Sequence, residues 1–233
     1  MNYKYIIVLF CIALPAYFLY WYFLIRPTKY GTVIILNGPS ASGKSSIQKE
    51  FQSITYPDSV WIKVGIDNLF DTPMPNITPE NMHLWQSQNN LRWVETSKDN
   101  HENNIITLFV GPDGDKIAYG MNSAIAAYAQ NECNVIVDYI AYKKEWIIDL
   151  QNKLANIQTY WIKVDIPLEI LEQRERTRAT SPAGHARSHY DTVHWNIAYN
   201  LIVNSHTQTA AEIAQKMKEF VTNKYLYKQK SLE

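Results

Sequence analysis

An α/β fold, with a parallel sheet covered by helices on both faces, is predicted by three observations. Short β-branched apolar runs alternate with stretches of helical length along most of the chain. The first of those runs is almost wholly apolar, as a strand buried on both faces must be. That run, Thr32-Val33-Ile34-Ile35-Leu36, leads directly into Gly38-Pro39-Ser40-Ala41-Ser42-Gly43-Lys44-Ser45. This spells G-x-x-x-x-G-K-S, and Ser45 to Phe51 can open a helix behind it.

The strand–loop–helix setting gives the motif its chemistry. Successive backbone N–H groups and a helix N-terminus surround a polyphosphate. Lys44 is placed to set its ammonium against the β- and γ-phosphates, and the Ser45 hydroxyl to ligate Mg²⁺. Gly38, Pro39, Ser40, Ala41, Ser42, Gly43, Lys44 and Ser45, with Ser46 following, are therefore the expected nucleotide-binding residues, for ATP with Mg²⁺.

Further strands are expected at Val60–Val64, Asn134–Asp138, Thr159–Asp165 and Asn200–Val203. Helices are expected near Met121–Gln130, Lys143–Leu154, Pro167–Arg178 and Gln208–Lys224. One segment breaks the rhythm. Ile105–Val110, then Gly111-Pro112-Asp113-Gly114-Asp115, then Lys116–Gly120 reads as a small β-hairpin around a Pro-Asp-Gly turn. The polar stretch from Asp71 to Asn104 reads as an insertion over the active-site face.

The N-terminus is expected to be a membrane anchor. Tyr5 to Ile25 holds no charged residue, and about 20 apolar residues suffice to cross a bilayer as a helix. Lys4, Arg26 and Lys29 flank it, and Tyr17, Tyr20, Trp21 and Tyr22 sit where an interfacial belt belongs. A cleaved signal is the rival, but the apolar run continues past its A-x-x-A, Ala13–Ala16. The expected organisation is an anchor over 1–29, a P-loop kinase domain over 30–224 and a basic tail over 225–233. The expected location is a single-pass membrane protein with its domain in the cytoplasm, where ATP is.

Bulk composition narrows the partners. Lysine plus arginine and aspartate plus glutamate number 22 each, for a net charge of zero, so no basic excess points to nucleic acid. The two cysteines, Cys11 and Cys133, have neither the setting of a structural disulfide nor the neighbours of a zinc site.

Three features refine the reaction. Asp138 ends the run Val135-Ile136-Val137 and is placed to hold Mg²⁺ from a strand end beside the phosphate loop. Asp67 follows the second strand, where its carboxylate can accept the proton of an attacking hydroxyl or simply cap a helix at Asn68. Arg174 and Arg178 share one helix face ahead of the stretch Ala179–Ala186, as a lid closing on phosphates requires; a solvated face paired with Glu172 and Glu175 is the alternative. The cluster His185, His189 and His194 matches no metal spacing; one of the three can line the substrate pocket, and most read as polar surface.

Taken in order, Ile34–Ser45, Val64-Gly65-Ile66-Asp67-Asn68-Leu69, Val135–Asp138 and Glu172–Arg178 resemble the chloramphenicol phosphotransferase-like family of P-loop kinases. The resemblance spans about residues 32–220. It implies a P-loop kinase-like three-layer sandwich with a five-stranded parallel sheet. It also implies ATP-dependent phosphorylation of a hydroxyl on a small molecule. Asp67 then matches the general base, Lys44 and Ser45 the nucleotide and Mg²⁺ ligands, and Arg174 and Arg178 the lid arginines. Tyr139 stands where the drug-modifying enzyme has a second acid, so the acceptor need not be chloramphenicol. Alternatives are a nucleotide or nucleoside kinase and a membrane-tethered ATP-binding switch.

Overall fold

The structure is a computed structural model that describes residues 30–66, 80, 83, 88, 89, 91–99, 102–178 and 181–230. Its elements are β1 (Val33–Asn37), α1 (Lys44–Thr55), β2 (Trp61–Gly65), β3 (Leu91–Lys98) and β4 (Asn104–Val110). There follow α2 (Pro112–Gln130), β5 (Asn134–Tyr139), α3 (Lys144–Lys153), β6 (Thr159–Asp165) and α4 (Leu168–Arg178). The chain continues through α5 (His185–Ser188), a 3₁₀ turn (Thr192–His194), β7 (Leu201–Asn204) and α6 (Ala210–Lys230).

Five strands form one parallel sheet in the order β2-β5-β1-β6-β7. Strand β1 lies in the middle, and all five of its residues are buried. Its side chains alternate between two cores, as the strand period demands. Val33 and Ile35 join Met121, Ile125, Trp146 and Leu150 from α2 and α3. Ile34 and Leu36 join Ile47, Phe51, Ile213 and Met217 from α1 and α6. A helix layer on each face of the sheet is the result.

The hairpin expected around Pro112-Asp113-Gly114 does not form; a two-stranded ribbon lies upstream of it instead. Strand β4 pairs antiparallel with β3, through a bulge between Glu95 and Ser97, and not with 116–120. Residues 112–130 are one helix instead. Pro112 follows the N-cap Gly111, where its missing N–H is no loss and its fixed φ suits the first turn; Asp113 and Asp115 there favour the positive helix end. A Pro-Asp-Gly string thus starts a helix rather than turning a hairpin.

The membrane location is corrected. Among the described residues no helix is long and apolar enough to cross a membrane. The helices α1, α2, α3 and α6 turn apolar residues to the sheet and polar residues elsewhere, the pattern of helices packed on a core. The anchor expected over 1–29, including the apolar run 5–25, lies outside the described residues.

Candidate active site

The phosphate loop springs directly from the central strand. Gly38 is required by close approach, since a Cβ there would lie 2.8 Å from the Val164 carbonyl oxygen. Gly43 holds φ at 92° and serves as the N-cap of α1, without a side-chain cap. The turn therefore keeps backbone N–H groups at the head of α1 available to an anion.

Lys44 is 4% exposed. Its ammonium donates to the Pro39 carbonyl at 2.8 Å and to Ser42 Oγ at 3.4 Å, and lies 3.5 Å from Asp138 Oδ1. The Ser45 hydroxyl donates to Asp138 Oδ2 at 2.5 Å. Sheet register explains the meeting, because Asp138 of β5 pairs with Leu36 of β1, just before the loop. Three residues singled out from the sequence thus converge on one spot.

A cleft of about 840 Å³ opens beside the loop. Ala41, Gly43, Ser45 and Ser46 line it together with Arg174 and Arg178 of α4 and Ser205 after β7. Arg174 Nη2 donates to the Ser205 carbonyl at 2.7 Å, and Nη1 is 3.4 Å from Ser205 Oγ. Both expected arginines therefore share a cleft with the phosphate loop. Asp67 lies outside the described residues; Gly65, the last residue of β2, is in register with Asp138.

The expected lid is fastened rather than loose from Ser181 onward. Glu175, 2% exposed, accepts from the Gly184 N–H at 2.9 Å, the Ala186 N–H at 2.7 Å and the Ser181 hydroxyl at 3.3 Å. It is no solvated partner of the arginines. Glu175→Ala leaves those donors unmet and should lower the unfolding free energy by about 3 kcal/mol, read as a denaturant midpoint. Arg187 joins this frame to the hairpin, through ion pairs with Glu172 of α4 and with Asp99 between β3 and β4.

His185 and His189 are core residues, contrary to their surface reading, and His194 is half-buried. His185 is 1% exposed and His189 4%. Their rings lie tilted against each other at 4.4 Å between centroids, with Trp93 of β3 at 4.5 Å from His185 and Tyr142 at 5.1 Å from His189. His189 Nε2 accepts the Ser40 N–H at 3.0 Å, and the Tyr142 hydroxyl is 3.0 Å from His185 Nε2. The sequence offered no sign of this: Ser40 and His189 are 149 positions apart.

Burial, with the nearby Lys44 charge, pushes His185 down to about 4 and His189 well below the usual imidazole range; His185 adds to the effect on His189. Burial and Lys163 likewise hold His194 at about 4. A depressed folded value means the unfolded chain takes up protons first. Stability is then full above about pH 6.5 and falls as pH drops toward the folded value. His185 alone should remove about 2 kcal/mol between pH 6.5 and 5, measured by denaturant titration, with a shallower slope in His185→Gln.

Tyr139 supplies no replacement acid. It is fully buried, its hydroxyl donates to Asn122 Oδ1 at 3.2 Å, and burial raises it above the ordinary phenol value.

With the site described, likenesses to known proteins can be placed on it. The model of a family described as chloramphenicol phosphotransferase-like protein matches residues 31–222. A Mycobacterium tuberculosis protein named "Putative O-phosphotransferase", in both the CDC 1551 and the H37Rv strains, is 26% identical over 189 residues. That likeness covers 81% of each chain. Among solved structures, the Mycobacterium tuberculosis APS kinase in complex with AMPPNP and APS aligns with a TM-score of 0.55 at 18% identity, over 83% of this chain and 98% of that one. A sugar kinase from Janibacter sp. aligns with a TM-score of 0.53 at 13% identity, over 83% and 95%. At such identities the structural likeness is one of fold. The family match runs from the residues before β1 far into α6, and it makes this chain a member of the chloramphenicol phosphotransferase-like family.

Proposed function

We propose that the protein transfers the terminal phosphoryl group of ATP to a hydroxyl of a small molecule. The observation that carries this reading is the convergence of Lys44, Ser45 and Asp138 beneath an open phosphate loop. The loop amides and Lys44 receive the phosphates, and Lys44 exchanges its internal contacts for them. Arg174 and Arg178 face the nucleotide from α4 and favour charge gathered on the transferring group. Asp67 is the base that takes the proton of the acceptor hydroxyl, a role supported by the family resemblance and by its place shortly after Gly65.

A hydroxyl and a carboxylate, both hard oxygen donors and 2.5 Å apart, fit Mg²⁺. Ser45 and Asp138 would hold it, and phosphate oxygens and water would complete its shell. When bound, the ion supplies positive charge to the phosphates.

Charge near the histidine cluster favours an uncharged acceptor over a phosphate-bearing one. Lys143 is held by Asp115 at 2.7 Å, and Arg187 by Glu172 and Asp99. Lys98 pairs with Glu102 at 3.2 Å. No lysine or arginine occurs between Lys63 and Arg92.

The test is ATP consumption by the full chain, screened against hydroxyl-bearing metabolites and antibiotics with chloramphenicol among them. Acceptor-dependent ADP release is the expected result. Nucleotide binding without turnover on any acceptor would point instead to an ATP-binding switch.

A further inference from the structure

The cleft beside the phosphate loop is lined from Ala41 onward, by Ala41, Gly43, Ser45 and Ser46. Ser40 is not among those residues. Its N–H is turned to the other shoulder of the loop, onto His189. That shoulder carries Tyr142, which follows β5 and lies tilted against both histidine rings, and the hairpin residue Trp93, edge-on to His185. The loop thus has two sides: one faces the nucleotide cleft, and the other is held by a side chain that follows α5.

The hydrogen bonds around His189 run in one direction. A backbone N–H can only donate, so Nε2 must accept from Ser40 and carries no hydrogen. In the uncharged ring the hydrogen then sits on Nδ1, which faces Ser188 Oγ at 3.3 Å. Ser188 Oγ in turn donates to the His185 carbonyl at 2.7 Å. Position and tautomer of the ring are set by α5, and α5 is set by Glu175 through the Ala186 N–H. The neighbouring Lys44 charge and the ring's burial favour the same uncharged form.

We infer that His189 is a positioning residue: by holding the Ser40 N–H it sets the leading shoulder of the phosphate loop for a terminal phosphate. The inference rests on the phosphotransferase reading. The amides at the head of α1 and Lys44 can grip a diphosphate without Ser40. A terminal phosphate would reach past them, toward the side where the Ser40 N–H meets His189. A Ser40 peptide released from His189 would leave the diphosphate grip intact and misplace the last phosphate.

The experiment compares Mg-AMPPNP with Mg-ADP by calorimetry on the full chain. His189→Ala should weaken AMPPNP roughly five- to tenfold, the equivalent of one lost hydrogen bond, and change ADP by less than about threefold. His189→Asn, whose side-chain oxygen can again accept, should recover most of the difference. Equal weakening of both nucleotides, no weakening of either, or no recovery in His189→Asn overturns the assignment. A wild-type chain that binds neither nucleotide overturns the phosphotransferase reading itself, a different failure. Should both variants unfold, the wild type decides alone. The His189 Nε2 nitrogen resonance must be that of an unprotonated ring nitrogen and must move with AMPPNP and not with ADP; a protonated Nε2, or equal shifts, overturns the inference.

Discussion

Replacing Lys44 with alanine is expected to lower phosphoryl transfer by roughly 10²–10³-fold, the loss seen when one preorganised donor to a developing charge is removed. The side chain is 4% exposed and already aimed along the loop, so little reorganisation stands between it and a phosphate. Its absence has a second effect, because Asp138 would lose the cation 3.5 Å away while staying mostly buried. A carboxylate left without that cation turns more strongly toward Ser45, and that change spoils the proposed Mg²⁺ site. ADP release with an acceptor from the screen, measured with nucleotide affinity, separates the two effects. A variant that keeps wild-type turnover would remove Lys44 from the chemistry.

Replacing Asp67 with asparagine should act differently. Asparagine keeps the shape and loses the basicity, so turnover should fall by roughly 10²–10⁴-fold while nucleotide affinity stays within about threefold. The contrast with Lys44→Ala is the diagnostic, since a base acts on the acceptor and not on the phosphates. Turnover retained in Asp67→Asn would leave the proton of the acceptor hydroxyl to another group.

Local signals made much of this molecule legible in the sequence. Every strand of the parallel sheet was predicted within a residue or so, because strands buried on both faces must be apolar runs bounded by polar turns. Lys44, Ser45 and Asp138 met as expected, since a loop leaving β1 and an acid ending β5 are adjacent once those strands pair. Strand β3 stayed hidden because it is half-exposed and polar, with hydroxyls such as Thr96 and Thr107 facing each other at 3.2 Å. Helix α2 was clipped because its proline and glycine mimic a turn. His185 and His189 were misplaced for a third reason: no periodicity marks a residue buried by packing against rings from distant elements.

The β3–β4 ribbon bears on how far the protein could be trimmed. It looks like an appendage, paired with no strand of the main sheet. Yet the Ile106 N–H donates to the Gly184 carbonyl at 3.2 Å, Trp93 covers His185, and Asp99 answers Arg187. Cutting away 91–110 to reach a minimal catalytic core would uncover an imidazole, leave the Arg187 guanidinium with Glu172 alone and undo the footing of α5. The ribbon is masonry, and a shortened protein without it should clump rather than work.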